Sequence, residues 1–188
     1  SISSLTSLPF VFSYTGASYV DPRTNSKELN VKFDYIFYNC TGATSVTFGS
    51  SGFEKFVVSM AHAFENCSNL VEVESPYHGL ENLKNAYMMF AGCSSLEEVD
   101  LNYFANSTNT PNLENMEKMF YNCTSLQVVN DYDTGVLNFK IGSSVTNMKE
   151  MFSGCTNLVY VCINESTINA SPNNVNSMFS GCTSLQNI

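Results

Sequence analysis

Basic residues are scarce in this 188-residue chain: eight Lys and Arg stand against seventeen Asp and Glu, for a net charge of -9. Polyanions are held by clustered basic side chains, and no such cluster occurs, so no nucleic-acid partner is expected. No apolar run approaches the length of a membrane span, so direct membrane insertion of this segment is not expected either. The opening residues, SISSLTSLPF, place no basic stretch ahead of a hydrophobic one, so a signal peptide is absent or already removed. A Gly-rich phosphate loop and a Cys-x-x-Cys pair are both missing, and histidine is limited to His62 and His78. Without paired histidines or a triad-like set, catalysis is not expected, and no cofactor is implied.

What is present suits a folded chain with a substantial core: 44% of the residues are hydrophobic and only 13% are charged. Asn, Ser and Thr are abundant, which fits a surface of turns and exposed strands more than one of long charged helices.

The chain also repeats itself. Six segments align on a cysteine: FDYIFYNCTGATSVTF, MAHAFENCSNLVEVES, AYMMFAGCSSLEEVDL, MEKMFYNCTSLQVVND, MKEMFSGCTNLVYVCI and VNSMFSGCTSLQNI. Their cysteines are Cys40, Cys67, Cys93, Cys123, Cys155 and Cys182. A Phe precedes each by three places: Phe37, Phe64, Phe90, Phe120, Phe152 and Phe179. Apolar residues recur four and seven places before the cysteine, as in Met119 and Met116, and these offsets predict one face of a helix of two or three turns. After the cysteine the period shortens. Leu70, Leu96, Leu126, Leu158 and Leu185 lie three places on, with Val46, Val73, Val99, Val129, Val161 and Ile188 six places on, which reads as a short strand with alternate residues inward.

The expected fold is therefore α/β: about six to seven rungs, each a short helix plus a short parallel strand, stacked with the sheet on one side and the helices on the other. The segment from Ile2 to Phe10 fits the strand half of the template, with Ile2 at the cysteine place. The whole of 1–188 reads as a single repeat domain, with a partial repeat at 1–10 and a longer insert at 11–32. Because it begins and ends inside a repeat, a fragment of a longer array is the expectation. Length varies between each strand and the next helix, and Val136 to Ile141 has the composition of an extra strand.

The arrangement [MA]-x-x-M-F-x-x-C-[ST]-x-L-x-x-V resembles the BspA-like leucine-rich repeats, including the mycoplasma-type surface lipoprotein version. That resemblance covers nearly the whole chain. It implies a leucine-rich-repeat solenoid, an extracellular or cell-surface location and an adhesin-like module that binds a protein, such as host matrix or another cell surface. It supplies no catalytic residues.

Four readings of the cysteine column compete. A disulfide ladder is open to an even set of six in an oxidising compartment, but side chains equivalent on successive rungs point in parallel, whereas a disulfide needs a near-perpendicular torsion. Metal binding lacks close ligand spacing, and a nucleophile lacks a recurrent base. Packing, with cysteine as a small apolar corner residue, is favoured by Ile2 in the equivalent place. Cys162 lies off this column, as either an exposed thiol or one covered by a neighbouring loop.

If the repeating positions carry the fold, function falls to those that differ. Outward strand places include Glu72, Glu74, Glu97, Glu98 and Asp100, five carboxylates on two adjacent rungs, with Asn130 and Tyr160 on the next two. Like charges across a ladder call for water, cations or a basic partner. These residues are the candidate binding set, for a basic protein surface or weakly for Ca²⁺, with Tyr160 as an aromatic anchor. A solvated acidic face is the bland alternative. The insert loops from 102 to 112 and 131 to 147 complete the candidate surface. A structural spacer within a long surface protein remains the competing role.

Overall fold

In a computed structural model of the protein, residues 7–10, 30–48, 56–74, 80–100, 110–130, 141–161 and 173–186 are described. The strands are short: β1 (Ser7–Phe10), β2 (Val31–Lys32), β3 (Ser45–Phe48), β4 (Val57–Ser59), β5 (Glu72–Glu74), β6 (Glu98–Asp100), β7 (Val128–Asn130) and β8 (Tyr160–Val161). All pairings are parallel, in the orders β1-β3-β5, β2-β4 and β6-β7-β8. Equivalent residues face one another, as the repeat alignment requires: Leu8 with Val46, Val46 with Val73, Val99 with Val129, Val129 with Val161.

The expected helices do not form. Among the described residues, the segment before each cysteine is a run of turns. In the Cys123 rung, Met119 N–H bonds Met116 C=O at 3.2 Å, Tyr121 N–H bonds Lys118 C=O at 3.0 Å, and Cys123 N–H bonds Phe120 C=O at 3.1 Å. The intervening amides donate to the next rung instead: Met116 to Asn147, Lys118 to Lys149, Phe120 to Met151 and Asn122 to Ser153, at 2.8 to 3.0 Å. In an α-helix the later of these, Phe120 and Asn122, would instead bond carbonyls four residues back within the segment.

Two causes favour turns over a helix. Five and one places before each cysteine the backbone is left-handed, at Tyr35, His62, Met88, Lys118, Glu150 and Ser177, and at Asn39, Asn66, Gly92, Asn122, Gly154 and Gly181. A positive φ interrupts a right-handed helix, and Asn and Gly adopt it most readily. Spacing is the second cause. Phe37, Phe64, Phe90, Phe120, Phe152 and Phe179 stack ring on ring at 5.3 to 5.7 Å. An α-helix with its side chains is about 10 Å across, so helices cannot be layered at that pitch, whereas turns one chain thick can.

The inward positions of the middle rungs are those the repeat predicts, but in the outermost rungs the pattern fails at Ile36 and Val175, which are exposed because there, among the described residues, a rung lacks a covering neighbour. Met116, Met119, Phe120, Cys123 and Leu126 are wholly buried, as are their counterparts in the Cys155 rung save for slight exposure of Met148. A further column, Val57, Leu83, Leu113 and Val145, is also buried, ten places before the cysteine. Two places later comes a second ladder: Ser59, Asn85, Asn115, Asn147 and Asn174 bridge in parallel, one residue per rung. Each of these four Asn carboxamides accepts the amide two residues on, at 3.0 to 3.2 Å, and Asn115 Nδ2 reaches Asn85 Oδ1 at 3.2 Å. These side-chain bonds start each run of turns.

Candidate functional site

The cysteine column is structural. Each described thiol is free, and each from Cys67 onward donates to the carbonyl of the Phe one rung back: Cys67 to Phe37, Cys93 to Phe64, Cys123 to Phe90, Cys155 to Phe120 and Cys182 to Phe152, at 3.0 to 3.2 Å. In the first four of these pairs, and again at Phe152, the Phe carbonyl also accepts the amide of its own rung's cysteine, so both lone pairs are used. Burial pushes the Cys67 thiol up to about 12, and raises Cys93, Cys123 and Cys155 well above the usual thiol range. A thiol so held is a poor nucleophile and a poor metal ligand. Cys162 lies outside the described residues.

On the strand side, β3 sets Ser45 against Glu72 and Thr47 against Glu74, β6 and β7 set Glu98 against Val128 and Asp100 against Asn130, and β8 sets Tyr160 against Val128. Glu72, Glu97 and Glu98 are exposed, and Tyr160 is half-buried. For Glu74, Asp100 and Asn130 the backbone alone is described. The two acidic strands, β5 and β6, fall in separate sheets, so among the described residues the ladder is interrupted between them. Among the described residues no three or more His, Cys, Asp or Glu side chains gather closely enough to hold a metal ion. The insert loops fall mostly outside the described residues, as do the segment 136–140 and His78; Thr110 to Asn112 and Ile141 to Asn147 belong to the turns that open their rungs.

The turn side carries a surface that the repeat pattern hid, because its residues differ from copy to copy. Toward the N-terminal rungs it is aromatic. Tyr35 is 56% and Tyr38 42% exposed, their rings meeting edge to face at 5.8 Å and 68°. Tyr35 stacks on the His62 ring at 4.3 Å, His62 meets the edge of Tyr87 at 5.0 Å, and Glu65 Oε2 lies 2.5 Å from His62 Nδ1. Asp34 is alongside, its Oδ1 accepting Ser59 Oγ at 2.5 Å and Ala61 N–H at 3.0 Å.

Toward the C-terminal rungs the same side is charged and self-paired. Lys118 Nζ lies 3.4 Å from Glu150, and Lys149 Nζ lies 3.8 Å from Glu117 and 3.4 Å from Glu150. Desolvation, which alone raises the Glu150 carboxyl, is outweighed by bonds and charge from Lys118 and Lys149, which hold it below the usual range. Lys118 also sits over the Tyr121 ring, 5.4 Å from its centroid.

The family profile described as "Mycoplasma protein of unknown function, DUF285" matches residues 31–158 and again residues 131–188. The chain belongs to this family. The DUF285 chain is also similar to a leucine-rich cell surface protein from Faecalibacterium prausnitzii, with a TM-score of 0.50 and 25% identity over 77% of this chain and 32% of that one. It thus spans about a third of the length of that protein. The T. pallidum leucine-rich-repeat protein is a more distant likeness, with a TM-score of 0.42 and 21% identity over 85% of this chain and 72% of that one. A search of curated protein sequences finds no match. The DUF285 match and the F. prausnitzii likeness agree with the BspA-like resemblance of the repeats, and the fold is a leucine-rich-repeat fold. In this DUF285 chain, however, the side opposite the strands is built of turns.

Proposed function

We propose that this chain is a protein-interaction segment of a bacterial cell-surface protein, meeting its partner with the non-repeating residues of the strand side. Extended repeat surfaces suit that role, since the stacked core leaves every outward position free to vary. The observation that carries the reading is the run of exposed carboxylates on adjacent rungs, Glu72, Glu97 and Glu98, with Glu74 and Asp100 in the same strands. On the next two strands Asn130 lies at the register of Asp100, and Tyr160 at that of Val128 and Glu98. An adhesin-like contact with host matrix or another cell surface is the form that fits a surface location, and the partner face would be basic.

Immobilised host matrix proteins, probed with the chain and with a Glu72→Gln/Glu97→Gln/Glu98→Gln variant, test this. Binding that weakens in the variant and at high salt supports the reading. Binding indifferent to both, or no binding at any salt concentration, contradicts it. A spacer role is the second reading, favoured by the unbroken column of turns through six rungs, and it predicts the empty result.

A further inference from the structure

The same two places in the turn are occupied very differently in two rungs. Five and two places before Cys123 stand Lys118 and Tyr121, and the lysine ammonium lies over the tyrosine ring, 5.4 Å from its centroid. Five and two places before Cys40 stand Tyr35 and Tyr38, so that rung supplies two rings where the other supplies an ammonium and a ring. The rings are inclined at 68°, and both residues are exposed. Of the six exposed large hydrophobic residues described, three, Tyr35, Ile36 and Tyr38, belong to this one turn. Clustering of this kind marks an interaction surface, whereas single exposed apolar residues do not.

The surrounding charge indicates the occupant. Asp34, next to Tyr35 in sequence, accepts Ser59 Oγ and Ala61 N–H through Oδ1, Glu65 pairs with the His62 ring that stacks on Tyr35, and Lys32 is the exposed cation of the same rung. Across the whole chain the net charge is -9, which draws a cation and repels an anion. An aromatic corner in an acidic setting is the chemistry that receives an ammonium or guanidinium group. The self-paired cluster of Glu117, Lys118, Lys149 and Glu150, on the same side of the molecule, has already met its charges internally.

We propose that Tyr35 and Tyr38 form a docking corner for a basic segment of a protein partner, an arginine or lysine side chain seating against the two rings with Asp34 beside it. This surface is on the turn side and stands independently of the strand-side reading.

The test uses the whole chain with an acetylated, amidated Gly-Arg-Gly-Arg-Gly peptide at low salt, followed through the tyrosine ring resonances. Tyr35 and Tyr38 are expected to shift while Tyr121 does not. Tyr35→Leu/Tyr38→Leu is expected to weaken binding by about tenfold, whereas Tyr35→Phe/Tyr38→Phe, which keeps the rings, is expected to retain it. Glu72→Gln/Glu98→Gln, on the strand side, is expected to leave it unchanged. An equal response to Gly-Glu-Gly-Glu-Gly would overturn the proposal, as would binding that survives the leucine pair or is lost with the strand-side pair. Phosphatidylcholine vesicles that move Tyr35 and Tyr38 when the arginine peptide does not would assign the corner to a lipid headgroup and overturn it equally.

Discussion

The turn side and the strand side of the rungs are joined by different means. On the turn side, alternate amides cross to the next rung from Phe33 through Gly154, each Cys from Cys67 onward reaches back to a Phe carbonyl, and the Phe rings stack without a gap. On the strand side, pairing extends over two to four residues and stops between β5 and β6. The side without regular secondary structure is therefore the continuous one, and the side with strands is the interrupted one. Continuity follows from what each side repeats. The turn side repeats its hydrogen-bonding and packing residues from copy to copy, whereas the strand side varies its outward residues.

If that contrast is right, damage to the turn side should cost far more than change on the strand side. Phe120→Ala, in the middle of the ring stack, should destabilise the chain by roughly 3–5 kcal/mol in chemical denaturation, since a fully buried ring leaves a cavity between two others. Gly154→Ala should follow, at about 2 kcal/mol, because its φ of +79° disfavours a side chain and an added Cβ would collide with Asn122 Oδ1. Asn122→Gly in the same chain should recover part of that loss, and a failure to recover any would deny the collision.

The buried thiols supply a pH test of the same spine. Their pKa values are raised in the fold, so their contribution to stability is complete below the ordinary thiol value of 9.0. It should be lost progressively as pH rises from there toward about 12, where Cys67 ionises in the fold. Urea denaturation from pH 8 upward reads this as a falling midpoint, by at most about 1.4 kcal/mol per thiol per pH unit. A midpoint flat to pH 11 would mean that the thiols are exposed or not free. The smallest effect belongs to the strand side: Glu72→Gln/Glu98→Gln should change stability by less than about 0.5 kcal/mol, with a slight gain at low salt.

Much of this was legible in the sequence, though not the element that carries it. The columns of Phe, Met, Leu and Val were read as inward, and in the middle rungs Phe64, Phe90, Phe120, Phe152 and their Met and Leu neighbours are buried, whereas Ile36 and Val175 in the outermost rungs are exposed. Offsets of 0, 3, 4 and 7 suit a helix, but they suit successive four-residue turns equally, because each turn returns the chain to the same side. The clue against a helix was present at the place before each cysteine, occupied only by Asn or Gly. A left-handed residue there is incompatible with continuing a helix. The Asn85, Asn115, Asn147 and Asn174 ladder was equally readable as a recurrent Asn eight places before the cysteine, but the insert lengths around it masked the repeat. The cysteine's hydrogen bond to a Phe carbonyl one rung back was not readable, because it depends on the pitch of stacking. The same holds for the stacking of Tyr35 on His62, which joins two rungs through residues of no repeating column.

The central claim is that alternate amides on the turn side bond across rungs. Through-hydrogen-bond scalar coupling in the labelled protein tests it most directly, because it names the acceptor of each amide. The account predicts a coupling from the Phe90 amide nitrogen to the Met119 carbonyl carbon, and from Phe120 to Met151. Couplings from Phe90 to Ala86 and from Phe120 to Met116, four residues back within one segment, would restore the helix and contradict it.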